Sequence, residues 1–123
     1  MGLLLDTHVV LWWLTDDPTL ASDFKDRLDS EPDVFVSAAT VWEVTIKQEA
    51  GKLQPADLPE RIRDSDFRRL AIEMDHSIAA GRLPLHHRDP FDRMLIAQAI
   101  VEGLTLATRD ADIQKYDVDI LAV

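Results

Sequence analysis

The apolar residues of this chain fall in short unbroken runs with polar, helix-patterned stretches between them. Leu3-Leu4-Leu5, Val34-Phe35-Val36, Leu70-Ala71-Ile72, Leu104 to Ala107 and Ile120 to Val123 read as strands. The clearest runs do not alternate with polar positions, which points to strands covered on both faces, as in a parallel sheet. Helical patterns occupy Thr7 to Leu14, Leu20 to Leu28, Ala38 to Ala50, Leu58 to Phe67, His76 to Arg82 and Pro90 to Glu102. Gly51 stands where a left-handed residue would end the third helix. The last helix is the best marked, with Asp89 to cap it, Pro90 in its first turn and Gly103 beyond its end. Its middle, Met94 to Val101, is apolar nearly all round, as in a buried helix. Strand and helix alternate through residues 1–123, which predicts a single three-layer α/β/α domain around a central parallel sheet.

Composition narrows the chemistry. The chain has no cysteine, which excludes disulfides, thiolate metal sites and a cysteine nucleophile. There is no basic leader and no run of ~20 apolar residues, so a soluble, cytoplasmic protein is expected. The formal charge of −10 argues against general affinity for nucleic acid, which requires clustered Lys and Arg.

Some of the acids fall at revealing places. Ligands of parallel α/β sheets bind beyond the carboxyl ends of the strands. Asp6 directly follows Leu3-Leu4-Leu5, and Thr108-Arg109-Asp110 directly follow Leu104 to Ala107. Glu43 lies on the helix after Val34-Phe35-Val36, and Asp92 in the first turn of the buried helix. Each has an ordinary explanation. Asp6 can cap the next helix. Glu43 can close a capping box with Thr40 or pair with Lys47. Asp92 suits a helix N-terminus, and Asp110 can cap a turn over Ala111 to Lys115. Together they need another reason. Two carboxylates ~6 Å apart repel by ~3 kcal/mol at an effective dielectric of ~20, so four in one place call for cations. All-oxygen donors select Mg²⁺ or Mn²⁺, ions that activate water and stabilise an oxyanion leaving group.

Leu4-Leu5-Asp6-Thr7-His8, Leu11-Trp12-Trp13 and Ser37-Ala38-Ala39 through Trp42-Glu43 resemble the first half of a PIN domain. His87-Arg88-Asp89-Pro90-Phe91-Asp92-Arg93 with Leu95-Ile96-Ala97-Gln98-Ala99, then Gly103-Leu104 through Thr108-Arg109-Asp110, resemble its second half. The likeness spans essentially the whole chain and is greatest to VapC-type toxins of toxin–antitoxin pairs. It implies a Mg²⁺- or Mn²⁺-dependent ribonuclease with Asp6, Glu43, Asp92 and Asp110 as its acidic quartet. Asp92 is preferred to Asp89 because it stands four residues before Ile96-Ala97, as the family's acid does. The resemblance also implies Thr7 and Thr108 as supporting polar residues, an antitoxin partner that blocks the site, and a homodimer.

The acidic surface then requires local RNA contacts. Arg88, Arg93, Arg109, His86 and His87 adjoin the proposed site in sequence, with Lys47 and Lys52 as further candidates. His86-His87 also reads as a partly exposed loop. Trp12, Trp13 and Trp42 have two uses, stacking on bases or packing. Two other functions remain open: an aspartate-based phosphatase built on Asp6, although position 8 is His rather than a second acid, and a non-catalytic module that holds a partner's arginines.

Overall fold

A computed structural model describes residues 2–51 and 56–123. Its sheet contains β1 (Leu3–Leu5), β2 (Val34–Ser37), β3 (Arg68–Leu70), β4 (Thr105–Thr108) and β5 (Ile120–Ala122). All four pairings are parallel, in the order β3-β2-β1-β4-β5. The helices are α1 (Thr7–Leu14), α2 (Ser22–Ser30), α3 (Ala38–Glu49), α4 (Leu58–Arg63), α5 (Met74–Arg82) and α6 (Pro90–Glu102), with a 3-10 turn at Ile113–Lys115.

The two faces of the sheet explain the unbroken apolar runs. Leu3 and Leu5 of β1 pack with Val9, Val10, Leu28, Val44 and Ile62. Leu4, between them, packs on the opposite face with Leu95, Ile96, Leu106 and Ile113. Both side-chain directions of the central strand therefore enter a core, and the domain has three layers, as expected. Asp89 accepts hydrogen bonds from the Phe91 and Asp92 amides, at 2.8 and 3.3 Å. Gly103 ends α6 at φ +67° and Gly51 follows α3 at φ +74°, where glycine avoids the Cβ clash. Burial in α6 covers Leu95 to Ala99, whereas Ile100 and Val101 reach solvent.

Several boundaries differ from the sequence expectation. The second helix begins at Ser22, and Leu20 is a buried plug before it. The fourth stops at Arg63 instead of Phe67, because Ser65 turns its amide and hydroxyl onto the Ile62 carbonyl. The third strand is Arg68–Leu70 rather than Leu70 to Ile72. It is a sheet edge, where charged residues are tolerated. Arg68 pairs with Asp33 at 2.9 Å and lies over the Phe35 ring. The fifth helix starts earlier, at Met74, behind a capping box between Glu73 and His76. No helix among the described residues is long and apolar enough to cross a membrane.

Candidate active site

The central pairing of the sheet brings two chain segments together at its carboxyl edge. Leu5 is opposite Ala107, and the Asp6 amide bonds the Ala107 carbonyl at 3.0 Å. Asp6 occupies the N-cap position of α1, yet its side chain makes no capping bond. Its Oδ2 accepts instead from the Thr108 hydroxyl at 2.6 Å. The residue is 4% exposed, and Oδ1 is buried with no hydrogen-bond partner among the described residues. Burial raises the pKa of Asp6 and Asp110 adds to the rise, against the opposing pull of Thr108 and His8.

Glu43, also buried, projects from the middle of α3. Its Oε1 accepts from Thr7 Oγ1 at 2.7 Å, and Thr7 stands 3.3 Å from Thr40. Its Oε2 lies 3.0 Å from Lys47 Nζ. The cap of α3 is Ser37, whose hydroxyl accepts from the Ala39 amide. A Thr40–Glu43 capping box therefore does not form, while the pairing with Lys47 does.

Asp92 and Asp110 meet around an imidazole. His87 Nε2 lies 3.0 Å from Asp92 Oδ2 and 3.2 Å from Asp110 Oδ2, the latter a hydrogen bond. Asp110 Oδ1 caps the 3-10 turn, accepting from the Asp112 and Ile113 amides at 2.8 and 3.1 Å. The expected capping role is therefore real, and it leaves Oδ2 turned toward Asp92. Burial opposes ionisation of Asp110, but those amides and His87 hold its pKa below the ordinary value. Asp92 behaves in the opposite way. Burial, Asp6, Asp89 and Glu43 push its pKa up to about 7, with His87 opposing. The influence of Asp6 and Glu43 on Asp92, and of Asp110 on Asp6, places all four acids in one electrostatic neighbourhood. Among the described residues, donor atoms of His87, Asp92 and Asp110 lie within 4.8 Å of one another. From the sequence His87 reads as an RNA contact or as part of a partly exposed loop, not as a neighbour of Asp110. Its proximity to Asp89 and Asp92 was the available signal.

The expected cationic contacts separate. Arg93 is turned inward onto the carbonyls of Ala80, Leu83, Pro84 and His87. Arg109 donates to the Val123 and Thr19 carbonyls and stacks on Trp12. Each is thus engaged in joining segments of the chain, Arg109 while remaining exposed. Arg88 is exposed and makes no hydrogen bond or ion pair among the described residues. His86 is exposed and meets the Tyr116 ring edge-on. Lys52 lies outside the described residues. Trp12 and Trp13 pack against the core. Trp42, by contrast, is 61% exposed, in edge contact with Phe91 at 5.1 Å between ring centres. These rings immediately precede Glu43 and Asp92. Trp42 also lines an apolar groove of about 610 Å³ with Val41, Ile62, Phe67 and Leu70. None of the four acids lines that groove.

Residues 3–119 match the PIN domain family. The chain belongs to that family. This PIN domain is 26% identical over 125 residues to Ribonuclease VapC22 of Mycobacterium tuberculosis (strain H37Rv), covering 93% of the chain and 91% of that relative. The crystal structure of FitAcB from Neisseria gonorrhoeae superposes with a TM-score of 0.71 at 25% identity, over 97% of this chain and 96% of that one. DNA-bound VapBC from Salmonella typhimurium reaches a TM-score of 0.77 at 16% identity, over 99% and 98% of the two chains.

Proposed function

We propose that this PIN domain is a Mg²⁺- or Mn²⁺-dependent endoribonuclease and acts as the toxin of a toxin–antitoxin pair, with Asp6, Glu43, Asp92 and Asp110 as its site. The observation that carries the reading is Asp6 Oδ1, a buried carboxylate oxygen with no hydrogen-bond partner among the described residues. A buried charged oxygen without a partner is costly, and a cation among neighbouring carboxylates removes the cost. Donors dominated by carboxylate oxygen fit a hard divalent ion. Asp6, Asp92 and Asp110 would hold it directly, with Glu43 alongside. Such an ion makes bound water a better nucleophile and neutralises charge on a phosphate. The remaining work belongs to the protein. Thr108 fixes Asp6, Thr7 and Lys47 fix Glu43, and the amides after Asp110 fix that carboxylate. Arg88 supplies an exposed cation beside the site for the RNA backbone.

The ribonuclease reading has further support from the 26% identity to a curated ribonuclease. The test is cleavage of total cellular RNA with Mg²⁺ or Mn²⁺ against EDTA, alongside Asp6→Asn. Discrete, metal-dependent products absent in the variant are expected. Cleavage that survives the substitution would overturn the assignment. Failure to cut with either ion would favour a module that only binds a partner. The antitoxin partner follows from the likeness to VapC-type toxins. A homodimer is supported by Met74 and Ile78 on α5 and Ile100 and Val101 on α6, four exposed apolar residues on two helices that pack together.

A further inference from the structure

The imidazole between Asp92 and Asp110 invites assignment as a metal ligand, since its Nε2 lies among carboxylate oxygens. The other ring nitrogen argues against this. His87 Nδ1 accepts a hydrogen bond from the Asp89 amide at 3.0 Å. A nitrogen that accepts an N–H carries no proton, so the proton of the neutral ring resides on Nε2. A ligating Nε2 needs its lone pair free and leaves the proton on Nδ1, where it would confront the Asp89 N–H. Metal-bound histidines characteristically donate from the second nitrogen; here that nitrogen accepts.

The backbone gives the ring little freedom to exchange these roles. The amides of His86 and His87 both donate to the Tyr116 hydroxyl, at 3.0 and 2.8 Å. That hydroxyl donates to the Pro84 carbonyl at 2.6 Å. Arg93 bonds the His87 carbonyl at 3.3 Å and the Pro84 carbonyl at 3.1 Å. The ring is thus held on both sides of its Cα, with its Nε2–H directed at Asp110 Oδ2 and with Asp92 Oδ2 3.0 Å from the same nitrogen.

We propose that His87 is a positioning residue and not a ligand: its Nε2–H holds Asp110 Oδ2 and faces Asp92 Oδ2, setting both oxygens for a cation that the ring does not touch. The proposal rests on the metal reading of the site. Asp110 makes it specific. Its Oδ1 is occupied by two backbone amides, so Oδ2 is the oxygen left for a cation. A carboxylate oxygen has a second lone pair, so Oδ2 can accept from His87 and bind an ion together. His87 therefore joins the two acids across 23 residues of chain without occupying a coordination position.

Three measurements test this. Nitrogen NMR of the metal-free protein should show His87 protonated at Nε2 and bare at Nδ1; the opposite tautomer overturns the proposal. Pulsed EPR of the Mn²⁺-loaded wild-type protein should show no directly bonded ¹⁴N; a strong nitrogen coupling makes His87 a ligand and overturns the proposal while leaving the metal reading intact. Calorimetric Mn²⁺ titration of a folded His87→Ala variant should show affinity weakened about 10- to 100-fold, the usual effect of losing an outer-shell partner; unchanged affinity overturns the positioning role. A wild-type protein that takes up no Mn²⁺ refutes the metal reading and this role with it.

Discussion

Asp92→Asn should stabilise the metal-free protein, and by more as the pH rises. The carboxyl has its ordinary pKa of 3.8 in the unfolded chain and about 7 in the fold. Between those values the folded state binds more protons than the unfolded state. Stability therefore falls as pH rises through this window, because folding holds a charge beside Asp6, Asp89 and Glu43 with little water. At about 1.4 kcal/mol per tenfold, the full penalty is roughly 4 kcal/mol. The side chain keeps 16% of its surface exposed, and solvent screening brings the expected figure nearer ~2 kcal/mol at pH 8. Most of that charge is gone at pH 5, where ~1 kcal/mol remains. Asparagine matches the neutral acid in shape and keeps a polar group beside His87. At roughly 4 °C per kcal/mol for a domain of this size, the variant should melt about 8 °C above wild type at pH 8 and about 4 °C above it at pH 5. The assay is thermal unfolding in EDTA across that range. His87, whose burial is outweighed by Asp110, Asp92 and Asp89 so that its pKa is raised, loses its stabilising contribution in the same direction. The substitution removes the Asp92 part of it, which is present at low pH, and so widens the gap further as pH rises. A gap that stays constant, narrows or reverses with rising pH would mean that Asp92 carries no buried charge in the fold.

Mg²⁺ should raise the melting temperature of wild type, and more at pH 8 than at pH 6, since Asp92 must shed its proton; at 100 times Kd the gain is ~2.7 kcal/mol. Asp6→Asn should respond weakly, and a response equal to wild type would place the ion elsewhere. Arg93→Ala should cost ~2–3 kcal/mol in denaturant unfolding, because four backbone carbonyls lose a charged donor. Arg88→Ala should leave stability unchanged while lowering the salt dependence of RNA binding by about one counterion. Trp42→Ala should raise KM for RNA with little change in kcat or melting temperature, a stacked base being worth ~1–3 kcal/mol; an unchanged KM would remove Trp42 from the substrate path.

The sequence displayed the features that depend on neighbours along the chain. The unbroken runs in β1 and β4 announced strands covered on both faces, and Asp89-Pro90 and Gly103 bracketed α6. Position at a strand end was enough to single out Asp6 and Asp110. β3 was misplaced because its Arg68 and Arg69 lack the apolar signature that an edge does not require. The setting of Glu43 was legible only in part. Lys47, one turn away, could be paired with it on spacing, but Thr7 reaches it from another helix. Arg93 reads as a surface cation because nothing local reveals that the end of α5 and the loop on to His87 close around its guanidinium. His87 was ambiguous for the same reason, since one of its partners lies 23 residues away. Such relations exist only once the chain has closed on itself.

The Asp6–Thr108 hydrogen bond joins residues 102 positions apart, and the Leu5–Ala107 pairing beneath it spans nearly the whole described fold. A nascent chain emerging from the ribosome therefore has Asp6 and Glu43 long before it has their counterparts. Any fragment ending before β4 lacks Asp110, and lacks the strand whose Thr108 holds Asp6. Order of synthesis therefore sets when the edge can form: Asp6 has its hydroxyl partner only after β4 has been made and has paired with β1.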